Sequence, residues 1–132
     1  MLPLISLTVA RSCATLAAME FEISSETRGD DLIVSVRGDV DLATAPLLDR
    51  ALADLWQPPD RLVIDAAGVA FMDSTGLGVL VKCAARARDE GGSIGLAAVT
   101  PRVRRVLAIT GLDGHLAVFD TVDAALRATK IG

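Results

Sequence analysis

The sequence predicts an α/β fold: a mixed, mostly parallel β-sheet packed with about four α-helices, in the order ββαβαβαβα. Three observations predict it. Short apolar runs at residues 32–36, 62–64 and 93–99 alternate with segments of helical period along a 132-residue chain. Proline or capping residues open the helical segments, and glycines or prolines close them. Hydrophobic residues make up 52% of the chain and aromatics only 3%, so the core is built from Val, Leu, Ile and Ala. Strands and helices joined by short links imply parallel pairing with right-handed crossovers. A chain of this length makes one domain.

Glu20-Phe21-Glu22-Ile23-Ser24 alternates polar and apolar residues, as a half-buried edge strand does. Ser25 to Asp30 reads as a hairpin turn, and Leu32-Ile33-Val34-Ser35-Val36 returns as the second strand, ending at Gly38. The first helix is entered with Asp41 or Thr44 as its cap and Pro46 in its first turn. Leu48, Ala51, Leu52 and Leu55 form its inward stripe, and Pro58-Pro59 stops it. Arg61 to Asp65 is a short central strand.

A second helix follows from Ser74, with Leu77, Leu80, Val81, Ala84 and the stem of Arg88 expected inward and Gly78, Val79, Lys82 and Arg86 outward. Gly91-Gly92 ends it. Ser93 to Val99 is the next strand. Thr100-Pro101 opens a third helix with Val103, Val106, Leu107 and Thr110 inward and Arg102, Arg104 and Arg105 outward. Leu116 to Phe119 is the last strand, and a final helix runs from about Thr121 through Arg127.

Residues 1–18 read as an extension, poorly ordered or loosely helical, ahead of a domain at 19–132. Their apolar run is interrupted by Arg11, which is too short for a membrane span and poorly formed as a secretion signal. Contact with lipid is the sharper alternative. The net charge of −4 and pI near 4.8 argue against a nucleic-acid partner. Cys13 and Cys83 make no disulfide framework, which fits a reducing, cytoplasmic setting, with a redox pair as the alternative.

Enzyme chemistry finds little support. Met72 stands where a hydrolase nucleophile elbow needs glycine. The one histidine, His115, reads as a turn residue, and no phosphate loop or metal-spaced cluster is present in the sequence. No cofactor and no metal are expected. Asp65 could match the phospho-acceptor of a response-regulator receiver, with Asp39 and Asp41 as the acidic pair. The lysine that fold needs after its last strand is missing, and Asp65 reads more simply as a polar strand-end residue.

The chain is organised around Phe71-Met72-Asp73-Ser74-Thr75-Gly76-Leu77-Gly78-Val79-Leu80, where strand turns into helix. Two glycines in a first helical turn cost up to about 1 kcal/mol each relative to alanine. Close approach by another backbone or another protein is the simplest reason to keep them. Asp73 can cap the helix, leaving the Ser74 hydroxyl pointing outward. Phosphate there suits a helix N-terminus yet adds about −1.5 to −2 charges, which a docked partner would not tolerate.

These residues resemble the STAS-domain anti-sigma factor antagonists (anti-anti-sigma factors) of bacteria. The likeness rests on Phe71 to Val79, on Gly38-Asp39-Val40-Asp41 with Ala45-Pro46, and on Gly91-Gly92. Leu107-Ala108-Ile109-Thr110-Gly111-Leu112 and Phe119 to Leu126 complete it, over about Met19 to the C-terminus. The resemblance implies a single STAS domain whose unphosphorylated form binds an anti-sigma factor of histidine-kinase-like ATPase fold and frees a sigma factor. That partner would phosphorylate Ser74, and a metal-dependent serine phosphatase would reset it. Thr75 remains the alternative acceptor. Partner contacts are placed at Asp39, Asp41, Asp73, Ser74, Thr75, Gly76, Gly78, Val79 and Lys82. The departures are the N-terminal extension and Asp39, where glutamate is commoner. An accessory subunit of a membrane lipid-transport complex, also a STAS role, is the second reading, and a small-ligand or nucleotide sensor the third.

Overall fold

The computed structural model describes residues 21–57, 60–114 and 116–128. The expected N-terminal extension, Cys13 and His115 lie outside the described residues. A hairpin starts the sheet: β1 (Glu22–Arg28) pairs antiparallel with β2 (Asp31–Arg37), from Glu22 opposite Arg37 to Arg28 opposite Asp31. Then come α1 (Ala45–Leu55), β3 (Arg61–Gly68), α2 (Ser74–Glu90), β4 (Ser93–Ala97), α3 (Pro101–Thr110), β5 (Ala117–Phe119) and α4 (Val122–Arg127). The sheet order is β1-β2-β3-β4-β5, with every pairing after the hairpin parallel. A receiver has the order 2-1-3-4-5, so the alternative built on Asp65 is set aside.

Strands β2 to β5 advance in one direction across the sheet, so right-handed crossovers put α1, α2 and α3 on the same face. Burial agrees. Leu48 and Leu52 of α1, Leu77 and Leu80 of α2, and Val103 and Leu107 of α3 share one core with Val34, Leu62, Ile64 and Leu96. On the opposite face, Ala125 of α4 covers Ile33, Val63 and Ala97, with Phe119, Val122 and Leu126 packed around them. Trp56, fully buried after α1, donates its Nε1–H to the Asp60 carbonyl at 3.0 Å, and the Arg86 guanidinium lies 5.2 Å from its ring centroid.

Arg61 ties the start of β2 to the end of α4. Its Nε and Nη2 meet the two oxygens of Asp31 at 3.1 Å each. Nη1 donates to the carbonyls of Ala125 at 3.2 Å and Ala128 at 2.7 Å, and Nη2 also donates to Leu126 at 2.8 Å. All five N–H groups of the guanidinium are thereby used. The Ala125 carbonyl also accepts the Ala128 amide at 3.3 Å, so a strand residue adds side-chain donors to the C-terminal end of α4, where a helix runs short of them.

Several expectations need correction. β1 runs on through Ser25 to Arg28, expected as turn, because an edge strand accepts polar side chains on its open face. α2 is rotated from the expected face: Val79 is buried, whereas Val81 is 50% exposed and Arg88 is exposed. The buried stripe is Gly76, Leu80, Cys83 and Ala87, flanked by Leu77 and Val79. Thr110, expected inward, is exposed and its hydroxyl donates back to the Val106 carbonyl at 2.9 Å. β4 stops at Ala97 because Ala98 has φ 58°, a left-handed backbone that cannot extend a strand. A short 3₁₀ turn at Leu112–Gly114, not foreseen, precedes β5.

Candidate functional site

The start of α2 is held by its own first residues. Asp73 is the N-cap, and its Oδ1 accepts from the amides of Thr75 at 2.9 Å and Gly76 at 3.3 Å. The Thr75 hydroxyl donates to the same oxygen. The Thr75 hydroxyl, foremost, and the amides of Gly76, Thr75 and Leu42 hold the Asp73 carboxyl below the usual range, against partial desolvation. With the cap satisfied by Asp73, Ser74 occupies the first helical position, exposed, and its hydroxyl bonds to no other described residue.

A second loop is laced to this one. The Val40 amide donates to the Phe71 carbonyl at 2.9 Å, and the Asp73 amide donates to the Val40 carbonyl at 3.1 Å. Val40 and Met72 thus form a lone parallel bridge outside the main sheet. Upstream, the Gly38 amide donates to the Gly68 carbonyl at 3.0 Å. The β2–α1 and β3–α2 loops are one backbone unit, with Val40 and Met72 both buried beneath it.

Asp41 shapes the β2–α1 loop rather than the helix itself. Its Oδ1 accepts from the amides of Ala43 at 3.0 Å and Thr44 at 3.1 Å. Thr44 stands at the N-cap of α1 without capping it through its side chain. Its hydroxyl instead accepts from the Asp41 amide at 2.9 Å and donates to the Asp39 carbonyl at 2.7 Å.

The two glycines of α2 differ. A Cβ added at Gly76 would lie 2.6 Å from Met72 Cγ and 2.7 Å from Val40 Cγ1. Gly76 is therefore required by the protein's own core, where the bridge passes under the helix. A Cβ added at Gly78 would meet nothing within 4 Å.

The sequence profile of the STAS domain matches residues 22–125. The chain belongs to the STAS domain family. This STAS domain is 34% identical over 94 residues to the anti-sigma-B factor antagonist of Bacillus subtilis, covering 71% of this chain and 86% of that protein. It is 34% identical over 103 residues to the anti-sigma-F factor antagonist RsfB of Mycobacterium tuberculosis, covering 76% of this chain and 82% of RsfB. The crystal structure of an anti-sigma factor antagonist from Mycobacterium paratuberculosis superposes with a TM-score of 0.76 at 33% identity, over 85% of this chain and 96% of that one.

Within this STAS domain, the bridge brings Asp39, Asp41, Asp73, Ser74 and Thr75 to one end of α2. Of the expected contact residues, Ser74, Gly78 and Lys82 are exposed, while Asp39, Asp41, Asp73 and Thr75 are half-buried. Gly76 and Val79 face the core, so neither presents a side to an incoming surface. Lys82 turns across to α1, where its Nζ lies 2.9 Å from Asp49 Oδ2. There it lines an open groove of about 630 Å³ with Arg50, Arg86 and Cys83. Leu42, 74% exposed, and Phe71, 40% exposed, flank the same helix start and were missed. Their signal was available: each is a large apolar residue in a loop with no periodic partner. Among the described residues no helix is long and apolar enough to cross a membrane.

Proposed function

We propose that this STAS domain is an anti-sigma factor antagonist switched by phosphorylation at Ser74. The unphosphorylated form binds an anti-sigma factor of histidine-kinase-like ATPase fold in the cytoplasm and so releases a sigma factor for transcription. The domain is a binding protein and not an enzyme; its partner supplies ATP and the phosphoryl transfer, and a serine phosphatase restores the hydroxyl. The names of the relatives support the first half of this reading. The observation that carries the second half is the exposed Ser74 hydroxyl at the first position of a helix whose cap is already filled by Asp73.

The physical asymmetry lies between carrier and partner. At a helix N-terminus an anion is favoured by about 0.3–1 kcal/mol, so phosphate leaves α2 intact. The same phosphate brings about −1.5 to −2 charges beside Asp73 and Asp39. Burying such a charge unpaired in an interface costs several kcal/mol, and about 1.4 kcal/mol is tenfold in affinity.

Incubation with candidate anti-sigma kinases and ATP, followed by mass spectrometry of the segment Asp73 to Lys82, tests the reading. Phosphate on Ser74 and dissociation of the modified chain are the expected results. A partner that binds phosphorylated and unphosphorylated protein equally would end it. A stable complex with a transporter-type ATPase, indifferent to Ser74, would favour the lipid-transport subunit instead.

A further inference from the structure

Large apolar side chains that fall together at a surface mark a contact. Leu42 and Phe71 are two such exposed residues, and their loops are tied at the backbone. The Phe71 carbonyl accepts the Val40 amide at 2.9 Å, and the Leu42 amide bonds to the Asp73 carboxyl. Both loops lie at one end of the sheet, where the parallel strands β2 and β3 finish.

The first strand starts at that same end. β1 is antiparallel to β2, so Glu22 lies opposite Arg37, and Gly38 follows directly into the β2–α1 loop. Phe21, buried in the main core, fixes the point of entry. The chain ahead of Phe21 therefore joins the sheet beside the loop that carries Leu42. The loop that carries Phe71 follows the next strand over, about 10 Å from β1 at the spacing of paired strands. Six extended residues span about 20 Å, so reach is no obstacle.

That preceding chain has the composition to cover them. Twelve of residues 1–18 are apolar and only Arg11 is charged, the reverse of a segment that gains nothing by burial. The STAS profile begins at residue 22, so these residues are added to the domain that the family shares. Arg11 is opposite in sign to Asp39 and Asp41, which flank Leu42 and pair with no described cation.

We infer that residues 1–18 fold back across Leu42 and Phe71 of their own chain and shield the end of the sheet that bears Ser74. The shielding of a partner rests on the proposed function, whereas the fold-back does not. An anti-sigma factor must displace the segment before it docks or phosphorylates, so the segment sets a threshold for both. Its own chain is the favoured location, because a short tether holds it at an effective concentration of about millimolar. A two-fold contact between copies would instead set Asp39, Asp41 and Asp73 against themselves.

A nitroxide on Cys13 of the full chain tests the fold-back without any partner, with Cys83→Ala leaving Cys13 as the one thiol. Paramagnetic broadening is expected at the amides of both loops and not at Ile109 on α3, and Leu42→Ser with Phe71→Ser is expected to abolish it. Loops left sharp, or broadening equal at Ile109, would overturn the inference. Broadening of an isotope-labelled chain without nitroxide, mixed with the nitroxide-bearing one, would make the occupant a second copy. Sharp loops together with attachment to phosphatidylglycerol vesicles would make it a lipid surface, and either result overturns the fold-back. For the shielding, Leu4→Asp with Leu7→Asp is expected to bind an anti-sigma factor at least about threefold more tightly than wild type in titration calorimetry. Unchanged affinity would overturn the shielding. Wild-type binding by Ser74→Asp would overturn the switch and leave the fold-back standing.

Discussion

The Thr75 hydroxyl donates its hydrogen to Asp73 Oδ1, the same atom that accepts the Thr75 and Gly76 amides. Two hydroxyls adjacent in sequence are therefore unequal in the fold. That of Thr75 is engaged in the cap, and that of Ser74 is exposed and bonds to no other described residue. Ser74→Ala should accept no phosphate from an anti-sigma kinase, whereas Thr75→Val should still be modified at Ser74. Phosphopeptide mass spectrometry distinguishes them, and modification of Ser74→Ala at Thr75 would contradict the assignment.

The same bond sets a pH dependence. Asp73 titrates below the usual carboxylate range in the folded chain, chiefly through the Thr75 hydroxyl. Its contribution to stability is thus fully present above the unfolded aspartate value of about 4 and is lost as pH falls through the lower folded value. Thr75→Val should move the titration of Asp73 upward. The Gly76 amide chemical shift followed by NMR against pH reports it, and an unchanged midpoint would refute the cause given.

Gly76→Ala should destabilise the domain even though alanine favours helix. The gain in propensity is up to about 1 kcal/mol. Overpacking against the buried Val40 and Met72 costs about 1–3 kcal/mol, and Val40 is β-branched and has little room to turn. A net loss of up to about 2 kcal/mol in urea unfolding is expected. A gain would mean that the bridge yields.

Arg61→Met should loosen α4 before anything else. The substitution strands the Asp31 carboxylate and removes the side-chain donors from three carbonyls at the end of α4, of which that of Ala125 keeps the Ala128 amide. Removal of one partner of a largely buried pair costs about 3 kcal/mol. Hydrogen exchange should show Ala125 and its neighbours losing protection while α2 retains it.

Cys83 should resist alkylation. Burial, with the Asp49 charge adding to it, pushes the thiol up to about 11. A folded value raised above the unfolded one favours the fold below the unfolded pKa, and that advantage is lost as pH climbs through about 11. At pH 8, iodoacetamide labelling of Cys83, read on its own peptide because Cys13 is a second thiol, should follow global unfolding with added urea. Rapid labelling without denaturant would show that α2 opens locally.

The fold was legible because its punctuation is local. Asp73 before α2, Thr100-Pro101 before α3 and Gly91 after α2 act within a few residues of themselves, and each does what its chemistry requires. The exposed place of Ser74 at the first position of α2 was legible for the same reason. The inward face of α2 was not. Its stripe passes through Gly76 and Cys83, neither of which carries a strong apolar signal, so the sequence pattern points to Val81 rather than Val79. The role of Arg61 was beyond reach from pattern alone, since its partners lie 30 and more residues away. The separate duties of Gly76 and Gly78 needed coordinates, because only a neighbouring atom distinguishes one helical glycine from another.

The bridge between Val40 and Met72 has a consequence for anyone who would re-address this protein to another regulator. Segments 38–44 and 69–78 share their amides and carbonyls, so neither keeps its shape when exchanged alone. Specificity must be transplanted as a paired cassette, both loops from one donor, and natural drift in one segment is constrained by the other.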